Sequence, residues 1–222
     1  MVHKFSIGSD ESLKGDTFGG IVVAGVLVDD ELKKALAAIG VADSKTLSAP
    51  RITLLAKQIK AICPYSIVKE LEPVRYNEYK QTSLLNQLHA ECAQELRAKH
   101  AKDNDLVFDT ASAEEMNFAA YTHIVDEFPG CTVGDIHKPK AESLYIEVAA
   151  ASILARDAAV KQIDRLSKQL GFRAPLGSTH VAEALFQLKV SGKPPEYFVK
   201  MHFKNVQSAL GSAYLKDQRN EF

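Results

Sequence analysis

Four acids stand apart from the rest by their surroundings: Asp10, Glu11, Asp109 and Glu142. Each follows an apolar strand-like run or leads into a helix of small residues, rather than lying on a polar helix face. If the strands are neighbours, these carboxylates converge. Carboxylates held in one small space repel and raise one another's pKa, and cations relieve that cost. Oxygen ligands without His or Cys favour Mg²⁺ or Mn²⁺ over zinc. Two such ions about 4 Å apart can activate a water and stabilise the leaving oxygen of a phosphodiester. Acids at strand ends also serve as solvated caps, so spacing alone leaves both readings open. Lys14 beside Gly15 could offer an ammonium and backbone N–H groups to a phosphate, or be a plain turn lysine. Ser44-Lys45 allows the same two readings. Asp16 and Asp43 read as turn or capping residues, and Asp157 as structural.

The elements that must position these groups follow from periodicity. Lys4 to Ser9 is an expected strand, and Ile21 to Val28 its hairpin partner across the polar turn that holds Ser12, Lys14 and Gly15. Helices are expected over Glu31 to Ile39, from the N-cap Ser48 to Ile62, and over Leu84 to Lys99. A third strand runs from Tyr65 to Leu71, and Pro73 opens a short helix. Leu106-Val107-Phe108 reads as a short strand ending in Asp109, Ala113 to Val125 as a helix, and Thr132 to His137 as a fifth strand. A basic turn, His137 to Ser143, carries Glu142 into the longest helix, Tyr145 to Leu170. The small residues of VAAASILARDAAV let that helix approach a sheet closely. Val181 to Lys189 is a further helix, and Pro194-Pro195 breaks the chain before an aromatic, basic stretch, Tyr197 to Asn205. Strands first and helices later give an α/β fold with a mixed sheet and helices on its faces.

Bulk properties narrow the function. The 222 residues, 46% of them hydrophobic, suffice for one sizeable core, read as a single domain over residues 1–222 with a helical C-terminal extension from about residue 173. No apolar run approaches the roughly 20 residues that span a bilayer, and the start turns acidic too early for a signal peptide. A cytoplasmic protein is expected. Cys63, Cys92 and Cys131 form no CxxC pair, and the seven histidines show no HExxH or HxH spacing. Residues 1–136 hold 14 Lys and Arg against 20 Asp and Glu, whereas residues 137–222 hold 13 against 8. An acidic part with a basic part suits a protein that holds metal ions on one and phosphates on the other.

GSDESLKGDTFGG, then ADSKTLS, VFDTAS, KAESLYIEVAAASILARD, PLGS and KMHFKN, resembles in order and wording the type 2 ribonucleases H, and ribonuclease HIII most. The resemblance runs from Ile7 to Asn205. It implies a ribonuclease H-like, mixed five-stranded sheet flanked by helices. It implies a metal-dependent endoribonuclease that cuts the RNA strand of an RNA/DNA hybrid, leaving 5′-phosphate and 3′-hydroxyl ends. Mg²⁺ or Mn²⁺ would be held by Asp10, Glu11, Asp109 and Glu142. A glutamate at 142 resembles HIII, whereas HII has aspartate there. The family's Gly-Lys-Gly loop maps onto Leu13-Lys14-Gly15, so Ser12, Leu13, Lys14 and Gly15 are the implied substrate contacts, with Ser44 and Lys45. Leu13 stands where the family has a glycine. A β-carbon disfavours φ > 0, so a differently shaped loop is expected. HIII members usually carry an N-terminal substrate-binding domain, and only about six residues precede the motif here. Either a lower hybrid affinity or compensation by another part is expected, with the basic region from His180 to Lys204 and Lys138 and Lys140 as candidates for the latter. A monomer is expected, with no membrane partner. Two other readings are a non-cleaving hybrid-binding module and a DNA-junction nuclease of the same fold.

Overall fold

β2, Ile21–Val28, is buried at every position, which marks it as a strand covered on both faces. In the computed structural model, which describes residues 5–42, 47–79, 81–103 and 121–211, it lies inside a five-stranded mixed sheet. β1 is Phe5–Ser12, β3 Ser66–Leu71, β4 Tyr121–Asp126 and β5 Ile136–Lys138. The strand order is β3-β2-β1-β4-β5. β1 runs parallel to β4, with Phe5 opposite Tyr121 and Ser9 opposite Val125, and β4 parallel to β5.

The helices are α1 (Asp30–Ala38), α2 (Ala49–Ile62), α3 (Pro73–Tyr76), α4 (Gln81–Asp103), α5 (Ile146–Leu170), α6 (Val181–Ser191) and α7 (Lys204–Leu210). Asp29 caps α1 by accepting from the Leu32 N–H at 2.8 Å. Ser48 takes the N-cap place of α2 without a side-chain bond, and Pro50 in its first turn fixes the start. The chain divides into two compact units. One comprises Met1–Ser12, Val23–Lys69 and Gln81–Asp157, the other Leu13–Val22, Glu70–Lys80 and Ala158–Phe222.

Two expectations are corrected. The helix expected up to Val125 is a strand from Tyr121, and the strand expected over Thr132 to His137 is confined to Ile136–Lys138. Tyr-Thr-His-Ile-Val is rich in β-branched and aromatic residues, and in β4 it pairs with β1, which outweighs any helical spacing. The expected strand Leu106 to Phe108 lies outside the described residues.

In the first unit, β1 carries two different faces. Ile7 packs with Leu27, Ala93, Leu96 and Tyr121, hence on the α4 side. Gly8 points to α5, and a β-carbon there would lie 2.3 Å from the Glu147 carbonyl carbon. Glycine at 8, with buried Val148, Ala149, Ala150 and Ala151, therefore lets α5 touch the strand backbone. Among the described residues no helix is long and apolar enough to cross a membrane.

Candidate active site

The alternation that sends Ile7 and Gly8 to opposite faces continues to the strand end. Asp10 follows Gly8 to the α5 side, where its carboxylate accepts a hydrogen bond from Ser152. Glu11 follows Ser9 to the α4 side, where His89 Nε2 stands 3.2 Å from its Oε2. The two neighbouring acids thus flank the end of β1 rather than pointing together.

Asp10 is 7% exposed, and burial pushes its carboxyl well above the usual carboxylate range. The charges of Glu11 and Asp126 push the same way, while Ser152 and the Glu11 N–H, 2.8 Å from Oδ1, oppose them. Asp126 ends β4 one residue past the pairing of Ser9 with Val125, which sets it beside Asp10 on the parallel ladder. Its Oδ1 accepts the Ala141 N–H at 2.8 Å. That bond ties the β4 end to the one-turn 3₁₀ helix Ala141–Ser143, which carries Glu142. Glu142 is 4% exposed, and the Tyr145 N–H to Ala141 O bond of 2.9 Å leads the turn into α5. Lys140, at φ 57, makes the left-handed corner before it.

Asp10, Glu11 and Glu142 therefore all belong to the first unit, with Asp126 beside Asp10. Asp109, Ser44 and Lys45 lie outside the described residues. Asp126 escaped the sequence reading because its strand was read as helix. The signal was available: an apolar, β-branched run ending in an acid before Phe128-Pro129-Gly130. An all-oxygen donor set around a buried, like-charged carboxyl is the chemistry of a hard divalent cation. Among the described residues no three His, Cys, Asp or Glu side chains are gathered closely enough to close around an ion as they stand.

The second unit holds the lysine loop. Leu13 has φ 70 and is 2% exposed, so leucine here occupies the left-handed region that a glycine would take. Such strain persists only where surroundings over-determine it. Here the Asp16 N–H donates to Leu13 O at 3.1 Å, and the Lys200 ammonium donates to both Leu13 O and Asp16 O. Lys200 is fully buried, with its Nζ 5.3 Å from the Tyr76 ring centre and 5.4 Å from that of Phe203. Burial pushes its pKa down to about 7, against the pull of Asp16. Asn205 donates to Thr17 Oγ1 at 2.8 Å, and the Lys200 N–H to Thr17 O at 3.0 Å. The KMHFKN segment is thus the clamp of the loop from Leu13 to Thr17, a role its basic composition did not suggest. Lys14 and Gly15 are exposed.

Known proteins agree with this architecture. The family model described as ribonuclease HII matches residues 7–206. Ribonuclease HIII of Protochlamydia amoebophila is 36% identical over 213 residues, covering 92% of this chain and 68% of the relative. Ribonuclease HIII of Limosilactobacillus fermentum is 34% identical over 210 residues, covering 91% of this chain and 68% of the relative. Among solved structures, Bst-RNase HIII in complex with Mn²⁺ superposes with a TM-score of 0.76 at 30% identity, covering 94% of this chain and 70% of that one. The chain belongs to the type 2 ribonuclease H family, is most like ribonuclease HIII, and is a ribonuclease H.

Proposed function

We propose that the protein hydrolyses the RNA strand of RNA/DNA hybrids in a divalent-metal-dependent reaction that leaves 5′-phosphate and 3′-hydroxyl ends. The observation that carries this reading is the buried Asp10 carboxyl, crowded by Glu11 and Asp126 and pushed well above the usual range. A cation removes that repulsion, and the solved relative in complex with Mn²⁺ supports the choice of ion. Asp10, Glu11 and Glu142, with Asp126 or Asp109 as the fourth acid, would hold Mg²⁺ or Mn²⁺. When bound, the metal supplies positive charge for water attack on phosphorus and for departure of the 3′ oxygen.

The chain's own residues do the rest. Ser152 and the Glu11 N–H hold the Asp10 oxygens in place. Asp126 fixes the turn that presents Glu142. Ser12, Leu13, Lys14 and Gly15, with Ser44 and Lys45, are the proposed contacts to the nucleic acid. Telling RNA from DNA requires reading the 2′-hydroxyl, and the exposed Lys14-Gly15 backbone is suited to it.

The test is cleavage of a labelled hybrid, a DNA duplex and a duplex with one embedded ribonucleotide, in Mg²⁺ and in Mn²⁺. Asp10→Asn is expected to abolish hybrid cleavage while the circular dichroism spectrum stays native. Full activity in that variant, or equal cutting of the DNA duplex, would overturn the reading. Asp126→Asn and Asp109→Asn, assayed side by side, decide which of these two acids completes the set.

A further inference from the structure

A chain of hydrogen bonds lies behind Glu11, buried along its whole length. His89 on α4 and Ser9 on β1 are fully buried, and His123 on β4 is 3% exposed. Ser9 Oγ stands 2.8 Å from His89 Nδ1 and 2.7 Å from His123 Nε2. His89 Nε2 stands 3.2 Å from Glu11 Oε2, and the Glu11 side chain is 5% exposed. Phe128 stacks on the His89 ring, with centroids 5.4 Å apart at 24°. The His123 backbone N–H donates to Asp135 Oδ2 at 2.7 Å, which fixes the main chain at that residue.

The proton positions follow from counting donors. An ionised Glu11 carboxylate only accepts, so His89 Nε2 carries a proton. With His89 neutral, its Nδ1 accepts, so the Ser9 hydroxyl donates to it. Ser9 Oγ then accepts from His123 Nε2–H. Every bond points the same way, from His123 through Ser9 and His89 to the Glu11 carboxylate. Burial, the largest cause, pushes the His123 ring down to about 3, so His123 enters the chain as the neutral ring this pattern needs.

Ser9 and Glu11 lie two residues apart on one strand, hence on one face, and a single imidazole meets both. A network built only to fasten α4 to β1 could end on Ser9. This one ends on a carboxylate of the proposed metal set. We propose that His89 is a positioning residue for Glu11, with Ser9 and His123 fixing its ring so that one carboxylate oxygen is held in place for a divalent cation. The inference rests on the reading of Glu11 as a metal ligand.

Two substitutions separate positioning from packing. His89→Asn keeps a polar group at the Nδ1 place for Ser9 but does not reach Glu11, whereas His89→Gln places an amide N–H near the Nε2 site. The readouts are Mn²⁺ affinity of the full chain without substrate, by electron paramagnetic resonance titration, and the thermal unfolding midpoint. His89→Asn is expected to weaken Mn²⁺ binding about 10- to 100-fold, the range for partners that orient a ligand. His89→Gln is expected to restore most of it. In a Glu11→Ala background His89→Asn is expected to add nothing. Wild-type affinity in His89→Asn, or the same loss with and without Glu11, overturns the inference alone. Mn²⁺ binding indifferent to Glu11→Ala overturns the metal role of Glu11 and the inference with it. Should both His89 variants fail to fold, Ser9→Ala leaves the two rings in place. A weakened Mn²⁺ affinity there supports positioning, and an unchanged one overturns it.

Discussion

Leu13 concentrates two opposed energies in one residue, and substitution separates them. Its side chain is 2% exposed, so Leu13→Ala loses buried apolar groups at a cost of about 2–5 kcal/mol. Its φ of 70 is unaffected by that change, because alanine pays the same penalty for its β-carbon. Going on to Leu13→Gly removes that penalty, a gain of about 1–2 kcal/mol. It also loses a buried methyl, about 0.8 kcal/mol, and adds about 0.5–1 kcal/mol of unfolded-chain entropy. These last contributions nearly cancel. Leu13→Ala and Leu13→Gly are therefore expected to fall within about 1 kcal/mol of each other, both roughly 3 kcal/mol below the wild type. In a chain this size that is a drop of about 6–12 °C in midpoint, measured by calorimetry or circular dichroism. A right-handed or extended residue would give a different pattern, with glycine worse than alanine by about 1.3–1.8 kcal/mol. Glycine worse by that margin would refute the left-handed conformation, and a wild-type midpoint for Leu13→Ala would refute the burial.

Three further outcomes follow from the geometry. Lys200 binds fewer protons folded than unfolded between about pH 7 and its ordinary value of 10.5, so its titration should raise stability as pH rises through that window. Lys200→Met should flatten this slope in urea titrations and should also weaken hybrid binding by freeing the Leu13 and Asp16 carbonyls; an unchanged slope would count against a buried ammonium. Gly8→Ala would set its β-carbon 2.3 Å from the Glu147 carbonyl carbon, so α5 must shift, at a cost of about 3 kcal/mol or more and with slowed hybrid cleavage. A variant that melts with the wild type would show that α5 does not touch β1. Asp126→Asn removes a like charge from beside Asp10 while keeping an acceptor for the Ala141 N–H, so the Asp10 carboxyl should titrate lower by NMR with little change in midpoint.

The sequence alone determined the α/β character, the apolar strand β2, and the pairing of Asp10 with Glu11 at a strand end. It also marked Glu142 at the head of a small-residue helix. These features are local: alternation, a buried apolar run and helical spacing are written in consecutive residues. What required tertiary structure was whatever depends on neighbours distant in the chain. Asp126 joins Asp10 only because β4 pairs in parallel with β1, and no property of residues 121–126 alone states that partner. Asp10 and Glu11 look like one group in sequence, yet strand alternation sends them to α5 and α4, against Ser152 and His89. Leu13, standing where the family has a glycine, points in sequence to a differently shaped loop. It takes the left-handed conformation because a lysine 187 positions later, fully buried between two aromatic rings, grips its carbonyl. Local propensity sets the cost of each such conformation, and long-range packing and hydrogen bonding decide whether that cost is met.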